Sequence, residues 1–458
     1  LPLTSQPFQW MDLPCLSLHV ALPSGRCECL VLSESSTIED LKIQSQQALK
    51  QGFLRLFTAD GRVLKEFHVS LKEAGLQDGD TLIAVVPETK LAATQGAFAI
   101  WCIGGDHLVT WGDPKSGAES SSVRELLQQV CQVKGTQSAF AALKTDGTIV
   151  TWGCGTTGGD SRRFQSQLVN VQQLSSTKAA FGAIRTDGSV ITWGSPRAGG
   201  DSSSVRGLLK NVQQIEGADS AFAAILSDGS VVTWGDLDRG GDSSRVQDQL
   251  CGVQQLKACG PAFAAVLRDG SVVAWGDDMA GGDISQVKDQ LTSVQEIQAT
   301  EGAFAAIRAD RSVVTWGERR QGGDSSSVQD RLKNVQEITA NDAAFAAILA
   351  DGSVVTWGNP AFGGDSSEVQ EYLAHVVHVR ATGGAFAAIL ADRSVVTWGG
   401  IEFGGNSLAL KDQLQNVLHL HSNWFAFVAI VADASVVTWG KPQHGGDTSN
   451  VQNEFRLL

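Results

Sequence analysis

The sequence is poor in the parts from which reactive sites are usually built. It contains no P-loop, no G-x-S-x-G nucleophile turn and no H-E-x-x-H pair, so phosphate cradling, serine hydrolysis and zinc proteolysis lack their usual machinery. No catalytic constellation and no cofactor are expected. The eight cysteines, Cys15, Cys27, Cys29, Cys102, Cys131, Cys154, Cys251 and Cys259, include no C-x-x-C. Cys27 and Cys29 fall on one face of a strand-like run, but without a second pair they do not complete a zinc site. Dispersed, unpaired cysteines fit a reducing compartment, so an intracellular setting, cytoplasmic or nuclear, is expected. No run of about 18 apolar residues exists to span a bilayer. Positive charge is also scarce: 35 Lys and Arg stand against 49 Asp and Glu, a net charge of −14. That argues against nucleic acid and against an anionic membrane as partners. The chain opens with Leu1 rather than Met, as a fragment or a processed product would, so the lack of a leader says little.

What is present is repetition. Twelve tryptophans against one tyrosine, with 50 glycines in 458 residues, suggest a copied motif. Trp111, Trp152, Trp193, Trp234, Trp275, Trp316, Trp357, Trp398 and Trp439 recur every 41 residues, each followed by Gly and all but one preceded by Thr, with Ala274 the exception. A fixed period over nine copies marks a repeat architecture filling 88–458.

One unit shows the pattern. Residues 212–215 read as a short strand, 221–226 (Ala-Phe-Ala-Ala-Ile-Leu) as a second, and 230–234 as a third. Asp228-Gly229 between the last two is a hairpin signal, because Gly supplies the positive φ that tight turns need. Gly240-Gly241-Asp242-Ser243-Ser244 then precedes Val246, Leu250 and Val253, a spacing that predicts a short helical turn with Asp or Ser as its cap. Short strands in meanders predict propeller blades, with the Ala-Phe-Ala-Ala run placed where blades converge on the axis. Asp310-Arg311, Asp392-Arg393 and Asp433-Ala434 replace Asp-Gly. Positive φ at Arg or Ala costs about 1 kcal/mol, so another turn type is expected there. The fold class is therefore mainly β, a propeller of nine 41-residue repeats. A closed ring and an open array both remain open.

The phrase Ala-Phe-Ala-Ala-Ile-Leu-x-Asp-Gly-Ser-Val-Val-Thr-Trp-Gly, followed by Gly-Gly-Asp, resembles the repeats of the regulator of chromosome condensation family. The units are shorter than that family's usual repeat and more similar to its short-repeat relatives, which include a bacterial propeller that inhibits β-lactamase. The family ring has seven blades, a number that nine units do not fit. Residues 15–87 resemble ubiquitin through Leu16-Ser17-Leu18-His19-Val20, Thr37-Ile38-Glu39-Asp40-Leu41-Lys42, Arg55-Leu56-Phe57 and Thr81-Leu82-Ile83-Ala84-Val85-Val86. This resemblance implies a β-grasp fold after an N-terminal extension of residues 1–14. It further implies that Pro23, Phe57 and Val85 form the apolar patch offered to ubiquitin readers. No Gly-Gly tail follows Val86, so the domain is expected to be a docking module rather than a conjugated modifier.

Four residues between Trp-Gly and Gly-Gly differ in nearly every copy. They include Asp236, Asp238 and Arg239; Asp277, Asp278 and Met279; Glu318, Arg319 and Arg320; Phe362; and Phe403. Varied loops on a fixed scaffold suit a binding rim, and drift in tolerant loops would look the same. Phe362, Phe403 and Met279 are taken as exposed apolar groups that favour an interface. His375 and His378 do not share a strand face, and His419 and His421 do, but no acid or Cys repeats beside them, so no metal is expected. Three functions compete. The first is a non-catalytic protein-interaction scaffold linking targets to ubiquitin-system components. The second is a guanine nucleotide exchange factor for a small GTPase, as the resemblance implies. The third is the substrate-binding fragment of a repeat-containing ubiquitin ligase.

Overall fold

A computed structural model describes residues 14–455 apart from Gly104, Asp106 and Ala434. Most of the predicted N-terminal extension and the turn at Ala434 therefore lie outside the described residues. The chain divides into two compact units, one reaching Glu88 and the other comprising Thr89–Val431 and Val436–Gln452.

In the first unit, β1 (Cys15–Ala21), β2 (Cys27–Ser33), β3 (Arg55–Thr58) and β4 (Thr81–Val85) form a sheet in the order β2-β1-β4-β3. β1 and β4 run parallel and the other pairs antiparallel. The helix α1 (Ile38–Leu49) begins in a capping box: Asp40 N–H donates to Thr37 Oγ1 at 3.2 Å, and Thr37 N–H donates to the Asp40 carboxylate at 2.9 Å. This satisfies N–H groups that the first helical turn leaves unpaired. Ile38, Leu41 and Leu49 pack with Leu18, Val20, Leu56 and Leu82 in one core. The result is the β-grasp order that the ubiquitin resemblance implies.

Among the described residues the second unit contains nine three-stranded antiparallel sheets. In the fourth, an inner strand (Val212–Gly217), a middle strand (Ala221–Leu226) and an outer strand (Val231–Gly235) pair in that order. The Ala-Phe-Ala-Ala run is thus the middle strand and not the one nearest the axis, a correction to the sequence reading. Inner strands of consecutive units are each other's neighbours. The small side chains serve face-to-face packing instead: Ala221, Ala223 and Ala224 are wholly buried.

One contact joins each blade to the next. Phe222 pairs across the hairpin with Trp234, their ring centroids 5.2 Å apart. Trp234 Nε1–H donates to the carbonyl of Gly199 in the preceding unit at 3.0 Å. A Cβ at Gly199, where φ is +87°, would stand 2.6 Å from the Phe222 ring, so the close approach and the left-handed backbone both demand glycine. The same bond runs from Trp111 of the first unit to Gly445 of the ninth at 3.2 Å. The array therefore returns on itself.

The short helical turn expected after Gly-Gly is present as a 3₁₀ turn, Gln247–Gln249, but it stops short of Val253, which already opens the next inner strand. Gly252 at φ +69° breaks the run, as Asn211 and Asn334 do in their units. Left-handed residues end helices. The Asp-Arg hairpins keep the Asp-Gly turn: Arg311 and Arg393 adopt φ +65° and +67°. Asp310 still accepts from Ser312 N–H and Oγ–H at 3.0 and 2.6 Å, which holds the turn despite its strain. Among the described residues no helix is long and apolar enough to cross a membrane.

Candidate binding face at the channel mouth

Where each inner strand ends, a short link leads to the middle strand, and one residue per link occupies an equivalent place. These residues are Gln95, Gln137, Lys178, Asp219, Gly260, Glu301, Asp342, Gly383 and Trp424, and all nine line one cavity of about 470 Å³. From Gln95 to Gly383, each donates its N–H to the carbonyl of the next at 2.8–3.3 Å. Backbone donors that would otherwise be orphaned thus knit neighbouring blades together around the mouth.

The preceding residue fastens the variable loop to this place. Thr177 Oγ1–H donates to Ala198 O at 3.0 Å, Thr300 Oγ1–H to Gln321 O at 3.0 Å, and Asn341 Nδ2–H to Phe362 O at 2.6 Å. The loops are 3₁₀ turns, such as Leu237–Arg239, each closed by a left-handed glycine. They therefore border the mouth on the same face.

Inside the mouth, residues of distant units meet. Lys178 Nζ lies 2.8 Å from Asp219 Oδ2 and 2.9 Å from Glu301 Oε2, and 5.5 Å from the centre of the Trp424 ring. Burial pulls the Lys178 pKa down, but its hydrogen bonds and ion pairs with Asp219 and Glu301 outweigh this and leave it raised. Burial, then the charge of Glu301, pushes the Asp342 carboxyl up to about 7, opposed by Lys178. Burial pushes the Cys259 thiol up to about 12, which leaves it neutral and unreactive.

The loop residues singled out from the sequence divide into roles. Asp236, Asp277 and Glu318 cap their own turns, accepting from Asp238 N–H at 3.1 Å, Met279 N–H at 2.8 Å and Arg320 N–H at 3.2 Å. Arg319 pairs with Asp324 at 2.6 Å, and Arg239 approaches the mouth residue Asp219 at 3.9 Å. Asp238, Asp278, Arg320 and Met279 face solvent, Met279 at 74 % exposure. Phe362 and Phe403 are half-buried, which corrects the expectation of exposure. Their rings lie 6.0 Å apart, and Phe403 stacks on Phe425 at 5.6 Å, forming an aromatic row that leads to Trp424.

In the first unit, Phe57 and Val85 both point to the solvent side of the sheet, and Pro23 is exposed in the β1–β2 turn. Ile83 pairs with Phe57 across β3 and β4 and is 41 % exposed, so it belongs to the same apolar face. His375 sits at a left-handed corner at φ +57°, away from His378 in the inner strand. His419 and His421 share a strand, with ring centroids 6.5 Å apart, and burial lowers both, His421 to about 4. Among the described residues, no group of three or more His, Cys, Asp or Glu could hold a metal.

The mouth residues are not among those singled out from the sequence, although Gln, Gln, Lys, Asp, Gly, Glu, Asp, Gly and Trp occupy one repeat position, at the end of otherwise uniform strands.

No family model and no curated protein matches the chain. Solved structures do. Yeast RCC1 (Prp20), solved bound to Kap60, is 15% identical, with 80% of this chain and 82% of that chain covered and a TM-score of 0.39. Prp20p from Saccharomyces cerevisiae, studied for its binding to Gsp1p and histones, is 16% identical over 67% of this chain and 81% of its own, with a TM-score of 0.38. These are propellers of the regulator of chromosome condensation type. The N-terminal ubiquitin-like domain of the 4931431F19Rik protein is 23% identical, covering 19% of this chain and 92% of its own, with a TM-score of 0.15.

Proposed function

We propose that this chain is a non-catalytic protein-interaction scaffold that binds partners on the propeller face formed by the channel mouth and its 3₁₀ loops. The ubiquitin-like unit, through Pro23, Phe57, Ile83 and Val85, links that cargo to ubiquitin-system components. One observation carries the reading: the residues that build the blades repeat almost unchanged, whereas those that border the mouth differ from unit to unit. Loops positioned by a rigid scaffold are where binding residues concentrate. Exposed Met279 and Leu237, at 74 % and 68 %, stand among charged neighbours, a mixture that suits an interface rim with apolar anchors.

Affinity capture with the full chain tests this, beside a Met279→Ser, Arg320→Ala chain and a Phe57→Ser, Ile83→Ser chain. The rim variant is expected to lose cargo and the sheet-face variant to lose ubiquitin-system proteins. A single small GTPase retained by all three, most strongly without nucleotide, would put the exchange-factor reading in its place.

A further inference from the structure

We propose that the channel mouth is a receptor for a lysine-type ammonium carried by a partner protein, seated among Glu301, Asp342 and Trp424. The inference rests on the reading of this face as a protein-binding surface and gives its partner a chemistry.

The mouth already holds an ammonium of its own. Lys178 Nζ is gripped by carboxylate oxygens at 2.8 and 2.9 Å beneath an indole ring 5.5 Å away. Charge-assisted hydrogen bonds and an aromatic face are the contacts through which proteins recognise such a group. Nothing in blade packing requires this gathering, because the four residues come from the third, fourth, sixth and ninth units and meet only over the axis. Gly383 makes room for it: a Cβ there would collide with the Trp424 indole.

Three carboxyl groups face two cations. Lys178 bonds Asp219 and Glu301, and Arg239 approaches Asp219 at 3.9 Å, which leaves one carboxyl in excess. Asp342 is acted on by burial and by its neighbours' charges without a side-chain hydrogen bond among them. A further cation, seated beside Asp342 and Glu301, would relieve both the repulsion between them and the desolvation of Asp342. The cavity of about 470 Å³ can admit it. A protein is the fitting carrier because the mouth is bordered by turns bearing exposed Met279 and Leu237, contacts that a free amine would leave unused.

Asp219, Glu301, Lys178, Arg239 and Cys259 surround the mouth, and Asp342 is the group there that titrates near neutrality. Ammonium binding should therefore tighten as pH rises through that range.

The test titrates the full chain with a fluorescent, acetyl-capped pentalysine peptide, read by anisotropy. Binding is expected to weaken about tenfold or more when the peptide's side chains are acetylated, and by a similar factor in Asp342→Asn and Trp424→Ala chains that melt like the parent. Lys178→Met, which removes the resident ammonium, is expected to bind more tightly; this variant decides the matter if the others fail to fold. Indifference to side-chain acetylation or to both substitutions would overturn the proposal. So would competition by spermidine at equal ammonium concentration, which would identify a free amine as the ligand. If the mouth binds the peptide as expected while the rim variant still captures the same proteins, the broader scaffold reading fails and the ammonium site stands.

Discussion

The walls between blades and the mouth at their inner ends are built from the same repeat, yet they follow opposite rules. Between blades, a Phe–Trp pair and a glycine carbonyl recur with ring separations of 5.0–5.3 Å throughout. At the mouth, one position passes from Gln to Lys, Asp, Gly, Glu and Trp. Packing at the wall tolerates no change, because every atom there has a neighbour on both sides. The mouth position opens on a cavity, so its side chain is free to vary without disturbing the blade. The repeat thus separates what holds the ring from what can recognise a partner.

Four substitutions probe that separation, from the largest expected effect to the smallest. Phe222→Ala should cost about 3–5 kcal/mol by opening a cavity between two blades, measured as a loss of denaturation midpoint. Gly199→Ala should cost about 2 kcal/mol, because the new methyl meets the Phe222 ring and the backbone is left-handed; a neutral result would show that the wall can yield.

At the mouth, the effect should depend on pH. The Asp342 carboxyl is raised to about 7 from an ordinary 3.8. The folded chain therefore holds a proton that the unfolded chain has released between those values, and stability falls as pH rises through that window. Asp342→Asn should accordingly leave stability unchanged near pH 4 and raise it at pH 8 by about 1–2 kcal/mol, after allowance for solvent screening. Thermal melts at the two pH values check this. Arg311→Gly should stabilise by about 0.5–1 kcal/mol, because it relieves a left-handed arginine outside both regions.

Much of the fold was legible because periodicity is a strong signal. The Trp-Gly spacing gave the units and Asp-Gly gave the hairpins, while the β-grasp order was legible only through the resemblance to ubiquitin. What was not legible depended on tertiary context. Val246, Leu250 and Val253 have helical spacing, but a left-handed residue at Gly252 turns the chain into a strand. The Ala-Phe-Ala-Ala run announces tight packing without saying which strand lies inside. Arg311 and Arg393 keep a turn that their propensity disfavours, because the flanking sheet and the Asp–Ser bonds over-determine it. As for the site, the variable loops stood out by their differences from copy to copy, but their spacing does not show that Asp236, Asp277 and Glu318 serve largely as caps or that Phe362 and Phe403 are packed. Lys178, Asp219, Glu301, Asp342 and Trp424 are far apart in sequence, and only the return of the ninth unit to the first brings them together.

The most direct test of the central claim, that recognition lies at the mouth face and not on the repeated scaffold, is quantitative affinity capture with matched variants of the full chain. One variant alters the mouth face at Met279→Ser, Arg320→Ala and Asp342→Asn; the other alters the hairpin turns at the opposite end of the sheets at Arg268→Ala and Arg308→Ala. The account predicts that the first loses the proteins bound by the parent chain and the second keeps them. Retention by the mouth-face variant together with loss by the hairpin variant would contradict it.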